Sequence, residues 1–242
     1  MSKNDMEFPD YITFGRTFER YRWYKPLLVI ISGIVLYFVF QIILGIIFNV
    51  IYGENILTTI MNGGYETLNT YDASVYYSYL SVAVFIPSLY LASRIVRDRP
   101  FSSYSSSRGG WNWKLYFKCL AIPIIIYVIY YAISLIINPE SGASSEVSLV
   151  TVIIATILIP VQCIAEEYVF RGVLMQTIGS WFKIPILAII IQAIIFAIGH
   201  TYDIKGVIAV FISGIVLALL TWKSNGLEAG SAIHSINNLM AF

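Results

Sequence analysis

Pro160-Val-Gln-Cys-Ile-Ala-Glu166-Glu167-Tyr-Val-Phe-Arg171-Gly-Val-Leu-Met-Gln176 sets two adjacent carboxylates and an arginine inside an otherwise apolar run. Ionisable side chains at bilayer depth cost roughly 2.5 to 3.5 kcal/mol each at a helix centre, and those that persist usually face a protein interior and serve a function. The surrounding composition makes bilayer depth the right setting. Of 242 residues, 58% are hydrophobic and 12% charged, and mean hydropathy is +0.75. That is far too much apolar surface for a soluble domain.

A hydrocarbon core about 30 Å thick needs roughly 20 apolar residues per helix. The windows that qualify are Pro26 to Tyr52, Val75 to Val96, Leu115 to Ile137, Ser148 to about Ile178, Ile184 to His200, Ile204 to Trp222, and Leu227 to the end. The chain is therefore expected to be all-α, a polytopic membrane bundle of about seven transmembrane helices. The last window stops at Phe242, which implies a short final span or a chain that continues further. Residues 1–25 form a polar and aromatic segment, and 26–242 a single transmembrane domain. No apolar core with a small-residue cleavage site follows the basic start, so the first span is a permanent anchor.

The net charge of +1 gives no reason to expect nucleic acid, but the placement of the charges is informative. Lys3, Arg16, Arg20, Arg22 and Lys25 precede the first span, Arg97, Arg99, Arg108 and Lys114 separate the second and third, and Lys183 and Lys223 occupy later loops on the same side. The opposite loops hold Glu54, Glu66, Asp72, Glu140, Glu146 and Asp203, with Lys205 as a lone cation. The positive-inside rule puts the amino terminus in the cytoplasm and runs the fourth span from outside to inside. Cys119 and Cys163 fall in apolar windows and read as small buried residues rather than a disulfide or a metal pair. The serine-rich stretch Phe101 to Gly110 reads as a flexible loop.

On a helix, the step of about 100° per residue puts Glu167 and Arg171 on one face and turns Glu166 away from them. Glu167 and Arg171 then make an intrahelical ion pair that supports the fold. Glu166 has no local counter-charge, is easier to protonate, and is suited to general acid-base work. Pro160 is expected to kink the helix and open space nearby. Read alone, the cluster fits a buried ion pair that fixes helix packing equally well.

The only two histidines tip that balance toward chemistry. His200 closes Phe196-Ala-Ile-Gly-His200, and His234 opens His234-Ser-Ile-Asn-Asn238, an imidazole and an amide one turn apart. By helix rise, Glu166 lies roughly 18 Å and His200 roughly 24 Å from the inner ends of their helices, deep enough to share a cavity open to the cytoplasm. His234, about 10 Å in, is shallower.

Glu166-Glu167-x-x-x-Arg171, Phe196-x-x-x-His200 and His234-x-x-x-Asn238, in that order on successive apolar helices, resemble the CPBP (Abi) group of intramembrane proteases, which includes CAAX prenyl endopeptidases and bacteriocin-processing or immunity proteins. The likeness covers residues 148–242. It implies peptide-bond hydrolysis of a membrane-associated protein or peptide, with the lipid bilayer as the other partner and a bacterial plasma membrane as the setting. In a compatible mechanism Glu166, assisted by His200, activates a water, while His234 and Asn238 donate to the oxyanion. Neither cysteine has a histidine at motif spacing and no Gly-x-Ser-x-Gly elbow occurs, which disfavours an acyl-enzyme. If a metal takes part, Glu166, His200 and His234 would supply a His2Glu set around zinc with an open position. Asn238 beside His234 suits oxyanion donation better, which favours metal-free chemistry. The alternatives are a proton-coupled transporter, which the lack of visible inverted repeats disfavours, and a non-catalytic scaffold or immunity factor.

Overall fold

The computed structural model describes residues 8–53, 71–137 and 147–242. Lys3, Glu54, Glu66, Glu140 and Glu146, used above to orient the loops, lie outside the described residues. Within them the protein is an all-α polytopic membrane protein. Its helices are α1 (Lys25–Tyr52), α2 (Tyr71–Ala83), α3 (Phe85–Val96), the single turn α4 (Ser102–Ser105), α5 (Trp113–Ile137), α6 (Leu149–Glu167), α7 (Gln176–Phe182), α8 (Pro185–Ile198), α9 (Ile204–Ser224) and α10 (Glu228–Ala241).

Five helical stretches are long and apolar enough to cross a membrane: Lys25–Tyr52, Asp72–Val96, Trp113–Ile137, Leu149–Phe182 and Ile204–Ser224. The other two windows form helices of only 14 residues, α8 and α10. α8 ends at Gly199, and Asp203 starts α9 by accepting the Gly206 N–H at 2.9 Å. α1 and α5 are apolar all round and bury little of themselves, presenting side chains such as Ile31, Phe38, Ile125 and Ile136 outward, as lipid-facing helices do.

α6 runs through the middle of the bundle. α2 packs along one side of it and α10 along another, while α10 also touches α5 and α9, and α8 pairs with α9. Ser148 caps α6 by accepting the Thr151 N–H at 3.1 Å. The fully buried Thr151 hydroxyl bonds Asp72 and Tyr76 of α2, which fixes the register of these two helices at the end away from the basic loops. The helix continues through Pro160. Its irregularity falls later, where Tyr168–Met175 widens into a π-helical segment directly after the two glutamates.

The serine-rich stretch is packed and ordered, unlike the expected flexible loop. Ser103, Tyr104, Ser105, Ser106 and Ser107 are all buried. The Ser103 and Ser105 hydroxyls donate to the Pro100 and Ser102 carbonyls, and Ser106 donates to Asn225 O at 2.9 Å. The Leu227 N–H in turn donates to Ser105 O at 2.8 Å. The serines thus satisfy backbone groups that burial would strand, and residues 101–108 brace the start of α10.

The segment before α1 straps the same end. Tyr11 and Ile12 are fully buried, Tyr11 donates to Tyr104 O at 2.5 Å, Arg16 donates to Ser180 O at 2.8 Å, and Trp222 donates to Asp10 at 2.6 Å. Burial pushes the Tyr104 phenol up to about 12 and raises that of Tyr11 further. Gly179 on α7 lets this strap approach. A methyl group there would overlap Ile12 Cγ2 and stand 2.7 Å from the Ile12 carbonyl oxygen. Gly179→Ala is therefore expected to cost about 1 to 3 kcal/mol and to release the strap, with faster tryptic cleavage at Arg16, Arg20 or Arg22. Unchanged cleavage kinetics would count against the packing.

Candidate active site

Glu167 and Arg171 lie one turn apart on the α6–π stretch, and the expected ion pair forms. Arg171 Nη1 donates to Glu167 Oε1 at 2.9 Å, and both side chains are completely buried. The guanidinium is held from two further directions. Nη2 donates to Gly214 O on α9 at 3.3 Å, and the group stacks over the Phe196 ring of α8 at 4.4 Å from its centroid. Gln192 of α8 donates to the same Gly214 carbonyl at 3.1 Å. Arg171 thereby ties α6, α8 and α9 together in the dry interior.

Glu167 also reaches α10, a contact helix spacing alone does not reveal. His234 Nδ1 lies 2.9 Å from Glu167 Oε1, so the ionised carboxylate accepts an Nδ1–H and fixes the ring. α10 comes close enough because Gly230 faces α6: a Cβ there would stand 3.4 Å from Glu167 Oε2 and 3.0 Å from Thr221 Oγ1. Held this way, His234 points Nε2 between two groups, Glu166 Oε2 at 3.4 Å and Asn238 Nδ2 at 3.4 Å.

Glu166 is turned away from the Glu167–Arg171 pair, as helix geometry requires, but it is not isolated. Gln162, one turn earlier, donates to Glu166 Oε1 at 2.7 Å, and His234 adjoins the other oxygen. The partner of Glu166 on its own helix is the neutral Gln162, and His234 adjoins it from α10, a contact that sequence distance hid. Oε2 is left without a hydrogen bond among the described residues. Gln162 is the functional candidate missed in the sequence; its i,i+4 spacing from Glu166 was the available signal.

His200 follows α8 in the turn to α9. Its Nδ1 lies 2.7 Å from Phe196 O, and since a carbonyl only accepts, Nδ1 carries the proton and Nε2 is the basic nitrogen of the neutral ring. Phe196 touches His200 edge-on at 4.7 Å between centroids and His234 at 6.0 Å, so this one ring spaces the two imidazoles.

A cavity of about 370 Å³ is lined by Gln162, Glu166, His200 and Asn238 together with Ser78, Tyr79, Tyr202 and Phe242. The structure thus brings Glu166, His200 and Asn238 to one space, with buried His234 directly behind Glu166 and Asn238. The cavity extends away from the basic loops and not toward them. Tyr202 lies in the turn after α8 and Phe242 beyond the end of α10, whereas the opposite end of α10 is where Glu228 pairs with Arg108 at 2.7 Å. The space expected on the basic side is filled by residues 101–108 and by the Phe101–Tyr168 stack.

Both histidines are held through Nδ1, which orients Nε2 for a base or a ligand alike. Among the described residues, however, no three His, Cys, Asp or Glu side chains are grouped to hold a metal ion. Glu166 and His234 adjoin, but His200 does not join them as a set. The residues in this arrangement do not fit a resident zinc, and no chemical step is assigned to one. Cys119 and Cys163 are both free thiols.

Residues 147–240 match the type II CAAX prenyl endopeptidase Rce1-like family. The match is to that part of the chain alone, and it shows what the region is similar to. The matched region contains Gln162, Glu166, Glu167, Arg171, His200, His234 and Asn238, while Ser78, Tyr79 and Phe242 of the cavity wall lie outside it. An uncharacterized protein of Bacillus subtilis (strain 168), YyaK, is 25% identical over 223 residues, which cover 84% of this chain and 75% of its own length. That likeness reaches well ahead of the Rce1-like region into the earlier helices. No solved structure matches the chain.

Proposed function

We propose that the protein is an intramembrane endopeptidase that hydrolyses a peptide bond of a membrane-associated protein or peptide, with Glu166 as the residue that activates water. The observation that carries this reading is the junction of α6 and α10. Glu166 lines a cavity together with His200 and Asn238, and its buried Oε2, without a hydrogen bond among the described residues, lies 3.4 Å from His234 Nε2.

In this mechanism the Glu166 carboxylate, steadied by Gln162, removes a proton from water as the oxygen adds to the scissile carbonyl. His200, with its Nδ1–H committed to Phe196 O, uses Nε2 to orient the same water. Negative charge then develops on the carbonyl oxygen. Asn238 donates an Nδ2–H to it, and His234, when it carries protons on both nitrogens, donates from Nε2 while Glu167 holds Nδ1. With that imidazolium, the charges of Glu166, Glu167, Arg171 and His234 sum to zero, which keeps the buried cluster neutral. Glu166 passes its proton to the leaving amine, the C–N bond breaks, and the carboxylate is regenerated.

Asn238→Ala removes one oxyanion donor. It is expected to lower kcat by about 10²- to 10³-fold with little change in KM. Detergent-purified protein acting on a carboxyl-terminally prenylated peptide and on its unprenylated twin provides the assay. Cleavage of the prenylated peptide alone supports CAAX-type specificity, and cleavage of both supports a broader peptidase. An Asn238→Ala variant as fast as wild type would remove Asn238 from the oxyanion site.

A further inference from the structure

A second cavity, of about 840 Å³, lies at the basic end of the bundle, between the segment before α1 and the end of α3. Four arginines line it: Arg20 from the strap, Arg94 from the last turn of α3, Arg97 at its cap, and Arg99 just beyond. The opposing charge is sparse. Glu19 and Asp98 also line the cavity, but Asp98 is already engaged by the Tyr104 hydroxyl at 3.1 Å and by Arg99 at 3.6 Å. Arg20, Arg94 and Arg97 have no side-chain hydrogen bond or ion pair among the described residues. Arg99 is buried, with Nη1 on Gln176 at 2.5 Å, its guanidinium 3.8 Å from the Tyr104 ring centroid, and Nε without a hydrogen bond.

A helix carboxyl terminus attracts cations, which accounts for Arg94 and Arg97 singly. It does not account for Arg20, which comes from another segment, nor for a buried arginine in the wall they share. Like charges gathered around one space are destabilising unless an anion fills it. The guanidinium fork matches phosphate oxygens in bidentate geometry. The setting is the membrane boundary: Trp23 and Tyr24 just ahead of α1 and Ile95 in the last turn of α3 are exposed, as aromatic and aliphatic side chains are at headgroup level.

We propose that this cavity binds a phosphate group, in the first instance the headgroup phosphate of an anionic phospholipid. The site is separate from Glu166 and its partners, and the inference does not depend on the hydrolytic reading. Arg99 holds Gln176, on the same continuous helical stretch as Glu166, so the bound phosphate braces that stretch from its basic end.

The test uses the full-length protein in phosphatidylcholine nanodiscs carrying a pyrene-labelled phosphatidylglycerol, with binding read as energy transfer from the protein's tryptophans. The double variant Arg94→Gln/Arg97→Asn is the informative one. Both side chains are exposed and without partners, and asparagine tolerates the left-handed backbone of position 97 (φ 53°), so the fold is preserved. Labelled-lipid affinity is expected to fall by about tenfold or more in this variant, and to stay at the wild-type level in Lys114→Gln, which removes an exposed basic-end cation outside the cavity. Inorganic phosphate distinguishes the sources of the group. If it displaces the labelled lipid, the site takes phosphate free of acyl chains; if it does not while the double variant still fails to bind, the site requires the intact lipid. Wild-type affinity in the double variant, or an equal loss in Lys114→Gln, would overturn the proposal.

Discussion

Arg171→Leu will destabilise the protein by about 3 to 5 kcal/mol, because it leaves the Glu167 carboxylate buried with His234 as its remaining partner. The leucine fills part of the space but makes neither the bond to Glu167, nor the one to Gly214 O, nor the contact over Phe196. For a domain of this size each kcal/mol shifts Tm by roughly 2 to 4 °C, so a fall on the order of 6 to 20 °C in tryptophan-monitored unfolding in detergent is expected. Arg171→Lys should recover only part of this, since an ammonium is a point charge that cannot serve the carboxylate, the carbonyl and the ring at once. The double variant Glu167→Gln/Arg171→Met should be more stable than Arg171→Leu, because it removes both charges together. A wild-type Tm for Arg171→Leu would show that the pair does not hold α6, α8 and α9 together.

Glu166→Gln is expected to lower kcat by about 10³-fold or more, near the upper range for loss of a general base. The amide is nearly isosteric and keeps an acceptor for Gln162, so expression, detergent elution and Tm should match wild type. KM should move little, because the carboxylate acts on water and not on the bound peptide. The contrast with Arg171→Leu separates the two roles within one short stretch: a loss of turnover without a loss of stability at 166, and a loss of stability at 171.

Much of this was legible in the sequence because it rests on local geometry. The Glu167–Arg171 pair, the turning away of Glu166 and the pairing of His234 with Asn238 all follow from residues three or four apart on a helix. What stayed hidden depends on which helix lies beside which. Glu167 reads as purely structural until α10 is seen to place His234 Nδ1 on the same oxygen that Arg171 uses. Phe196 is legible as the first position of Phe196-x-x-x-His200, but its carrying the Arg171 guanidinium on its face and spacing the two histidines is not. The serine-rich stretch reads as flexible because composition does not reveal that Asn225 and Leu227 return to pair with it. The shortness of α8 and α10 was close to the surface of the sequence, since their apolar windows, Ile184–His200 and Leu227 to the end, exceed the 14-residue helices by only a few residues.

The central claim is that Glu166 activates the water that breaks a peptide bond at this site, and comparison of newly formed peptide termini tests it most directly. Membranes carrying the wild-type protein and membranes carrying Glu166→Gln at equal abundance are compared by mass spectrometry after isotopic labelling of free amino termini. The account predicts a set of termini in membrane-associated proteins that appears with wild type and is absent with Glu166→Gln, with the intact precursors accumulating in the variant. Identical termini in the two membranes would contradict it.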